Sequence, residues 1–312
     1  MAGLHFGSRG GGDADPASGT FMASTMQDFD SGFSVRRLRQ GYLGSAMRVQ
    51  RHSDDAELDI GFLPNGWLDV FALLEFAGTG IASVKTWYDQ GASATNGTMA
   101  TRAQQPVIVE SGVLVMDNGM PALKFTDTAL SKLSDIDLPF LDDDGLMSLF
   151  CVISPNGGDF SSGNPRGIVG KQSPDVFGSF GYGYANNSNQ FRLDVRPSAS
   201  MGTFLGNIFT DADPAPIVNG EQVQHTFVYN GTSAGTVKDK AQFYVNGGAE
   251  IIERGPYTIA PASDEVSYIG ASHPTVATTH FNGLMQEIVY WKANKTAQRA
   301  GVENNQAAFF TI

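Results

Sequence analysis

Cysteine is almost absent from this chain. Its 312 residues hold one, Cys151, inside the apolar run "LMSLFCVI". No disulfide can form within the chain. Free cysteine is among the most buried residue types, so Cys151 reads as a small core residue. Secreted β domains of this size commonly carry disulfides, and their absence leans toward assembly in a reducing cytoplasm. Charge is also scarce, at 17%, and positive charge scarcer still: 20 Lys and Arg stand against 32 Asp and Glu, a net charge of -12. Such a chain repels phosphate backbones and anionic headgroups, so nucleic acid and membrane are not expected as partners. No run approaches the ~20 apolar residues that span a bilayer. The start, "MAGLHFGSRGGGDADPASG", lacks the continuous apolar stretch of a signal peptide. No nucleophile elbow, phosphate-binding loop or dinucleotide fingerprint is present.

What is present is glycine, 37 residues of it, and a succession of short apolar runs parted by turns. Candidate strands include "ASVKTWY", "PVIVESG", "MSLFCVIS", "FGSFGYGYA", "QFRLDVR", "VQHTFVYN", "AQFYVNG" and "LMQEIVYW". Asn-Gly pairs at Asn96, Asn118, Asn156, Asn219, Asn246 and Asn282 mark turns between them. About a dozen short strands at this spacing predict an all-β sandwich or jelly roll. Leu284 to Trp291 carries apolar groups on both faces, which predicts a central strand or one between two layers. Few helices are expected. "NGWLDVFALLEFAG", Asn65 to Gly78, places Leu68, Phe71, Leu73 and Leu74 on a stripe and ends on glycine. Trp67 and Phe71 read as core aromatics. "KTAQRAGVENNQAAFF" reads as a closing helix with Thr296 as N-cap. The expected organisation is an extended Gly-rich arm over residues 1–30 and a sandwich domain over 31–312. The arm's anchors, Leu4, Phe6, Phe21, Met22, Met26 and Phe29, are too few to fold alone. They call for a neighbouring surface, either the chain's own domain or another subunit.

Several polar groups ask for an explanation. Arg36, Arg37, Arg39, Arg48 and Arg51 precede Asp54, Asp55, Glu57 and Asp59, which reads as internal ion pairing, with an anion or sugar-hydroxyl site as the sharper alternative. Asp89 follows two large aromatics in "TWYDQGASATNG" and begins as a candidate catalytic acid. Asp135, Asp137 and Asp142 to Asp144 cluster before a glycine. Asp142 and Asp144 are the weak metal candidates there, for Ca²⁺, but the spacing is not an EF-hand's and a solvated loop is the simpler reading. No cofactor is otherwise called for. His225, His273 and His280 lack metal-ligand spacing and read as strand or surface polar groups.

"YVNG", "YIG" and "FNGLMQEIVYW", from Leu146 to the C-terminus, resemble the closing strands of concanavalin A-like (laminin G-like) sandwiches. The front half, "SVRRLRQGYLGSAMRVQRHSDDAELDIGF", then "TWYDQ" and "DNGMPALKF", is similar to the catalytic domain of glycoside hydrolase family 54 α-L-arabinofuranosidases and to modules of tailed-phage virion proteins. A retaining glycosidase needs two carboxylates about 5–5.5 Å apart. The resemblance puts Gly181 where the family has its nucleophilic Glu, and Ser272-His273 where it has its acid/base Asp. It therefore implies a non-enzymatic virion protein, on capsid or tail, homo-oligomeric through its arm and possessing at most a grip on host-surface glycans. The glycan contacts it implies are Tyr182, Tyr184, Asn186, Asn187 and Asn189. The alternative is an arabinofuranosidase-type hydrolase acting on polysaccharide with relocated acids. Asp89 and Gln90 belong to a motif common to enzymes and virion modules, so the expected role is a structural anchor that ties down the loop after them.

Overall fold

A computed structural model of the chain describes residues 21–136, 145–156, 166–173, 176–185, 190–196, 207–209, 220–230, 241–248 and 267–312, with residues 172–173, 176–185, 190–196 and 207–209 described by their backbone alone. The architecture is all-β, antiparallel throughout its named strands, with, among the described residues, one α-helix near the front and one at the C-terminal end.

The larger sheet is built around Gly283–Trp291. This strand pairs along its length with Leu146–Pro155 on one side, and with Ser31–Ser34 and Leu123–Phe125 on the other. Val223–Asn230 and Ala241–Val245 continue outward from Leu146–Pro155. Val107–Glu110, Ala82–Trp87, Met47–Arg51 and Glu57–Ile60 continue the other way. The smaller sheet runs Gly97–Thr98, Leu133–Ile136, Ser267–Ile269, Arg166–Ser173, Val176–Ala185, Gln190–Arg196 and Asn207–Phe209. Gly97–Thr98 pairs with Ala82–Trp87 as well as Leu133–Ile136, so the two sheets are joined along that seam. Between them lies one apolar core, in which Val84, Trp87, Leu149, Cys151, Met285 and Ile288 pack with Leu133, Ile168, Val169 and Ile269. Burial raises the Cys151 thiol far above its ordinary range, so it stays protonated and inert.

The outer face of the larger sheet is covered around Phe150, Val289 and Trp291 too, which is why Gly283–Trp291 carries apolar groups on both sides. Phe150, Val289 and Trp291 face outward into a second cluster with Met22, Phe29, Leu38 and Val302. Phe29 meets the Trp291 ring edge-on at 5.9 Å. Residues 21–30 thus dock on the chain's own body, while residues 1–20 lie outside the described residues. The C-terminal helix, Arg299–Phe310, packs over the same side. A polar layer sits beneath it. Glu287 accepts from Arg36 Nε (2.7 Å) and Nη2 (2.9 Å), from Ser34 Oγ (2.8 Å) and from Gln306 Nε2 (3.1 Å). Both ions are fully buried, and Arg36 also stacks on Phe309 at 4.8 Å.

Both helices are shorter than their sequence patterns. The front helix is Val70–Ala77, because Asp69 caps it by accepting from Ala72 N at 3.0 Å; Trp67 belongs to an extended bridge with Arg36. Two turns bury only Leu73 and Ala77, and Phe71 stands 75% exposed on the far side. The closing helix begins at Arg299, and Thr296 bonds Gln242 Oε1 (3.2 Å) instead of capping it. No helix among the described residues is long and apolar enough to cross a membrane.

Candidate functional site

Asp89 accepts from the backbone N–H of Gly32 and Gly91, both at 2.7 Å, from Ser93 Oγ, and from Thr95 N at 3.3 Å. Gln90 accepts from Leu38 N (2.7 Å) and donates to Arg36 O (2.9 Å). Both residues are buried. Every carboxylate lone pair of Asp89 is thereby committed to holding the 91–95 loop and the Ser31–Ser34 strand end together. Among the arginines, Arg48 pairs with Asp59 through two bonds of 2.8 Å and Arg51 with Asp54. Arg36 instead crosses to Glu287, and Arg39 donates to Gln90 O. This front cluster is a set of internal ties.

The smaller sheet has a different character. Its strand Arg166–Ser173 is crossed at close range by the segment that follows Ser267–Ile269. A Cβ on Gly167 would fall 2.0 Å from Ser272 N, and one on Gly170 would fall 2.5 Å from Ala271 O and Ser272 Cα. Only glycine admits that approach. Gly270, at φ +84°, turns the chain into the crossing. The segment is then held by Ala271–His280 and Gly167–His280 bridges, by Phe281 N donating to Gly270 O (2.8 Å), and by Thr279 Oγ1 donating to His273 O (3.2 Å). His273 Nδ1 accepts from Thr275 N at 3.3 Å, which leaves its ring proton on Nε2. Register carries the row onward from Gly170: Tyr268, Gly170, Gly181, Asp194 and Asn207 are successive partners across five strands.

Beside the crossing lies a buried polar group set. Arg166 Nη1 donates to Asp127 Oδ2 at 2.6 Å. His280 Nδ1 donates to Val276 O at 2.9 Å, so Nε2 holds a lone pair, and that atom is buried without a partner among the described residues. Burial lowers the His280 pKa to about 4, with the charges of Lys132 and His273 acting in the same direction. Lys132 is only 7% exposed, and its ammonium meets Gln104 Oε1 at 3.4 Å. Burial lowers its pKa as well.

Of the residues singled out for glycan contact, Asn186, Asn187 and Asn189 lie outside the described residues, as do Asp142 and Asp144. Tyr182 and Tyr184 are described as backbone positions that alternate with Gly181 and Gly183; their register partners are Val169 with Leu193, and Arg166 with Phe191. No group of three or more His, Cys, Asp or Glu among the described residues is arranged to hold a metal. The Asp127–Arg166–His280 set escaped sequence reasoning because its members are 39 to 153 positions apart, and only the loop crossing joins them.

No family model matches the chain, and no curated protein matches it. Solved structures do. One is an arabinofuranosidase complexed with arabinofuranosyl-α-1,2-xylobiose, 16% identical, with a TM-score of 0.54. Another is a family 54 α-L-arabinofuranosidase soaked with a cyclic sulfate inhibitor, 14% identical, with a TM-score of 0.53. Each likeness covers 89% of this chain and 62% of the solved one, so the chain spans less than two thirds of those proteins. The fold is therefore similar to that of these arabinofuranosidases over 89% of the chain. This corrects the expectation that the chain is not an enzyme. That expectation rested on two positions, Gly181 and Ser272-His273, whereas the shared fold takes in nearly the whole chain. The structures named here give the virion reading no support.

Proposed function

We propose that the chain is a glycoside hydrolase of arabinofuranosidase type that removes arabinofuranosyl groups from a polysaccharide. The observation that carries this reading is the likeness over 89% of the chain to solved arabinofuranosidases. Fold alone hosts many functions, so the site must bear the rest. Sugar hydrolysis asks for a rigid floor that a ring can approach, a proton donor for the leaving oxygen and a carboxylate at the anomeric carbon. The smaller sheet offers the floor. Gly167 and Gly170 let Ala271 and Ser272 lie against it, one residue before His273. His273 stands where the resemblance expects the acid, and in this reading its Nε2–H, left by the bond from Thr275 N to Nδ1, is the hydrogen-bond donor to the departing glycosidic oxygen.

The test is hydrolysis by the full chain of arabinofuranosyl-xylobiose, arabinan and arabinofuranosyl-decorated xylan. Release of free arabinose from at least one of them, with unsubstituted xylan untouched, is the expected result. A folded protein that releases no arabinose from any of the three overturns the reading.

A further inference from the structure

The outer face of the larger sheet holds a cleft where neither residues 21–30 nor the C-terminal helix lines it. Lys124, Leu284 and Ser154 are register partners across three strands. Their chain neighbours Leu123, Met285 and Ile153 belong to the core between the two sheets. Side chains alternate along a strand, so Lys124, Leu284 and Ser154 are turned to the opposite face. An open cleft of about 520 Å³ lies over this row, within the size range of small-molecule sites. The hairpin of Val107–Glu110 and Val113–Leu114 forms one wall, with Glu110 and Val113 opposite each other in its register. Asn156 and Asn282 close one end, joined by Asn156 N donating to Asn282 O at 2.8 Å.

The lining combines aliphatic surface with self-neutralised charge. Val113, Met116 and Leu284 supply the aliphatic part, and Val113 stands 68% exposed. Lys124 Nζ donates to Glu110 Oε1 at 2.8 Å and Oε2 at 3.0 Å. An anion or a cation would have to open that pair to gain a partner. A hydroxyl group need not, because the ammonium has donors and the carboxylate lone pairs to spare. An aliphatic floor under a neutral rim of donors and acceptors suits a sugar ring, which is apolar on its C–H face and hydroxylated at its edge.

We propose that this cleft is a second carbohydrate-binding site, which grips uncharged sugar units of a polysaccharide on the side of the larger sheet turned away from the smaller one. Its preference for uncharged sugar follows from its own lining. That the sugar belongs to the polymer being hydrolysed rests on the reading above. A polymer held there stays with the protein between cleavages, which raises its effective concentration at the smaller sheet.

The experiment is an NMR titration of the full chain, methyl-labelled at Val, Leu and Met, with xylotetraose and with cellotetraose. Neither contains arabinose, so neither is consumed. At least one is expected to shift the methyl signals of Val113, Met116 and Leu284 with a millimolar dissociation constant. Tetragalacturonate, equal in length but charged, is expected to leave them in place. Glu110→Ala is expected to weaken binding about tenfold, the factor that a hydrogen bond to a charged group carries. Lys124→Met, which keeps the aliphatic stem, is a second variant expected to do the same. Cleft signals that neither neutral sugar moves, a tighter response to tetragalacturonate, or wild-type affinity in both variants overturns the site. Hydrolysis of arabinofuranosyl-xylobiose by the same wild-type sample separates the two readings. Arabinose released with the cleft signals unmoved removes this site alone. Cleft signals moved with no arabinose released keep the site and remove the hydrolase.

Discussion

Asp89 shows how a carboxylate beside two aromatics comes to be used for architecture. Its four hydrogen bonds go to groups on both sides of one junction, two of them backbone N–H groups at 2.7 Å. Removing it leaves buried donors unsatisfied, at about 1–3 kcal/mol each. Asp89→Ala is therefore expected to lower the urea midpoint by an amount worth about 3 kcal/mol or more, while any variant that remains folded keeps its kcat. A fully stable variant without activity contradicts this role. His280 gives a second residue-scale expectation. Burial lowers its folded pKa from 6.5 to about 4, so between those values the unfolded chain binds a proton that the folded one does not. Stability from this group is complete above pH 6.5 and is lost as pH falls toward 4, by an amount on the order of 3 kcal/mol. Denaturation curves of wild type and His280→Gln at pH 7 and pH 4.5 check this. The gap between the two should narrow on acidification, and an unchanged gap counts against a buried neutral imidazole.

At the scale of elements, the crossing of Arg166–Ser173 by residues 271–273 decides whether there is a site at all. It depends on Gly167 and Gly170, where a single methyl would meet backbone at 2.0 and 2.5 Å. Backbone cannot yield as a flexible side chain does, so the crossing segment must shift. Gly170→Ala is expected to displace Ser272-His273, to reduce kcat by about 10²-fold through misplacement of a reacting group, and to cost less stability than an equivalent clash in the core. Kinetics beside thermal unfolding checks it, and a folded Gly170→Ala with wild-type kcat removes the crossing from the account. The strands themselves were legible in the sequence. Apolar runs parted by Asn-Gly pairs located Leu146–Pro155, Val223–Asn230 and Gly283–Trp291, and the two-faced pattern of the last marked a central strand with both sides covered. The helix ends were less so: Asp69 sets the start of the front helix through a side-chain cap that periodicity does not carry, and the closing helix starts at Arg299 without one. The site was least legible. Asp127, Arg166 and His280 gave no sign of belonging together, since only the crossing segment joins them. Glu287 shows the reverse: an acid inside a recognisable motif whose role, bonding Arg36 in the interior, appears only once the Ser31–Ser34 strand is laid beside it.

At the scale of the molecule, a fold shared at 14–16% identity with arabinofuranosidases joins a rearranged set of polar groups. The larger sheet is covered on one face by the core and, around Phe150, Val289 and Trp291, on the other by residues 21–30 and Val302 of the C-terminal helix. The smaller sheet carries Gly167 and Gly170, against which Ala271 and Ser272 cross just before His273. The most direct measurement is proton NMR of the products formed when the full chain is mixed with arabinofuranosyl-xylobiose. The account predicts free arabinose and xylobiose. A folded chain that leaves the trisaccharide intact contradicts it.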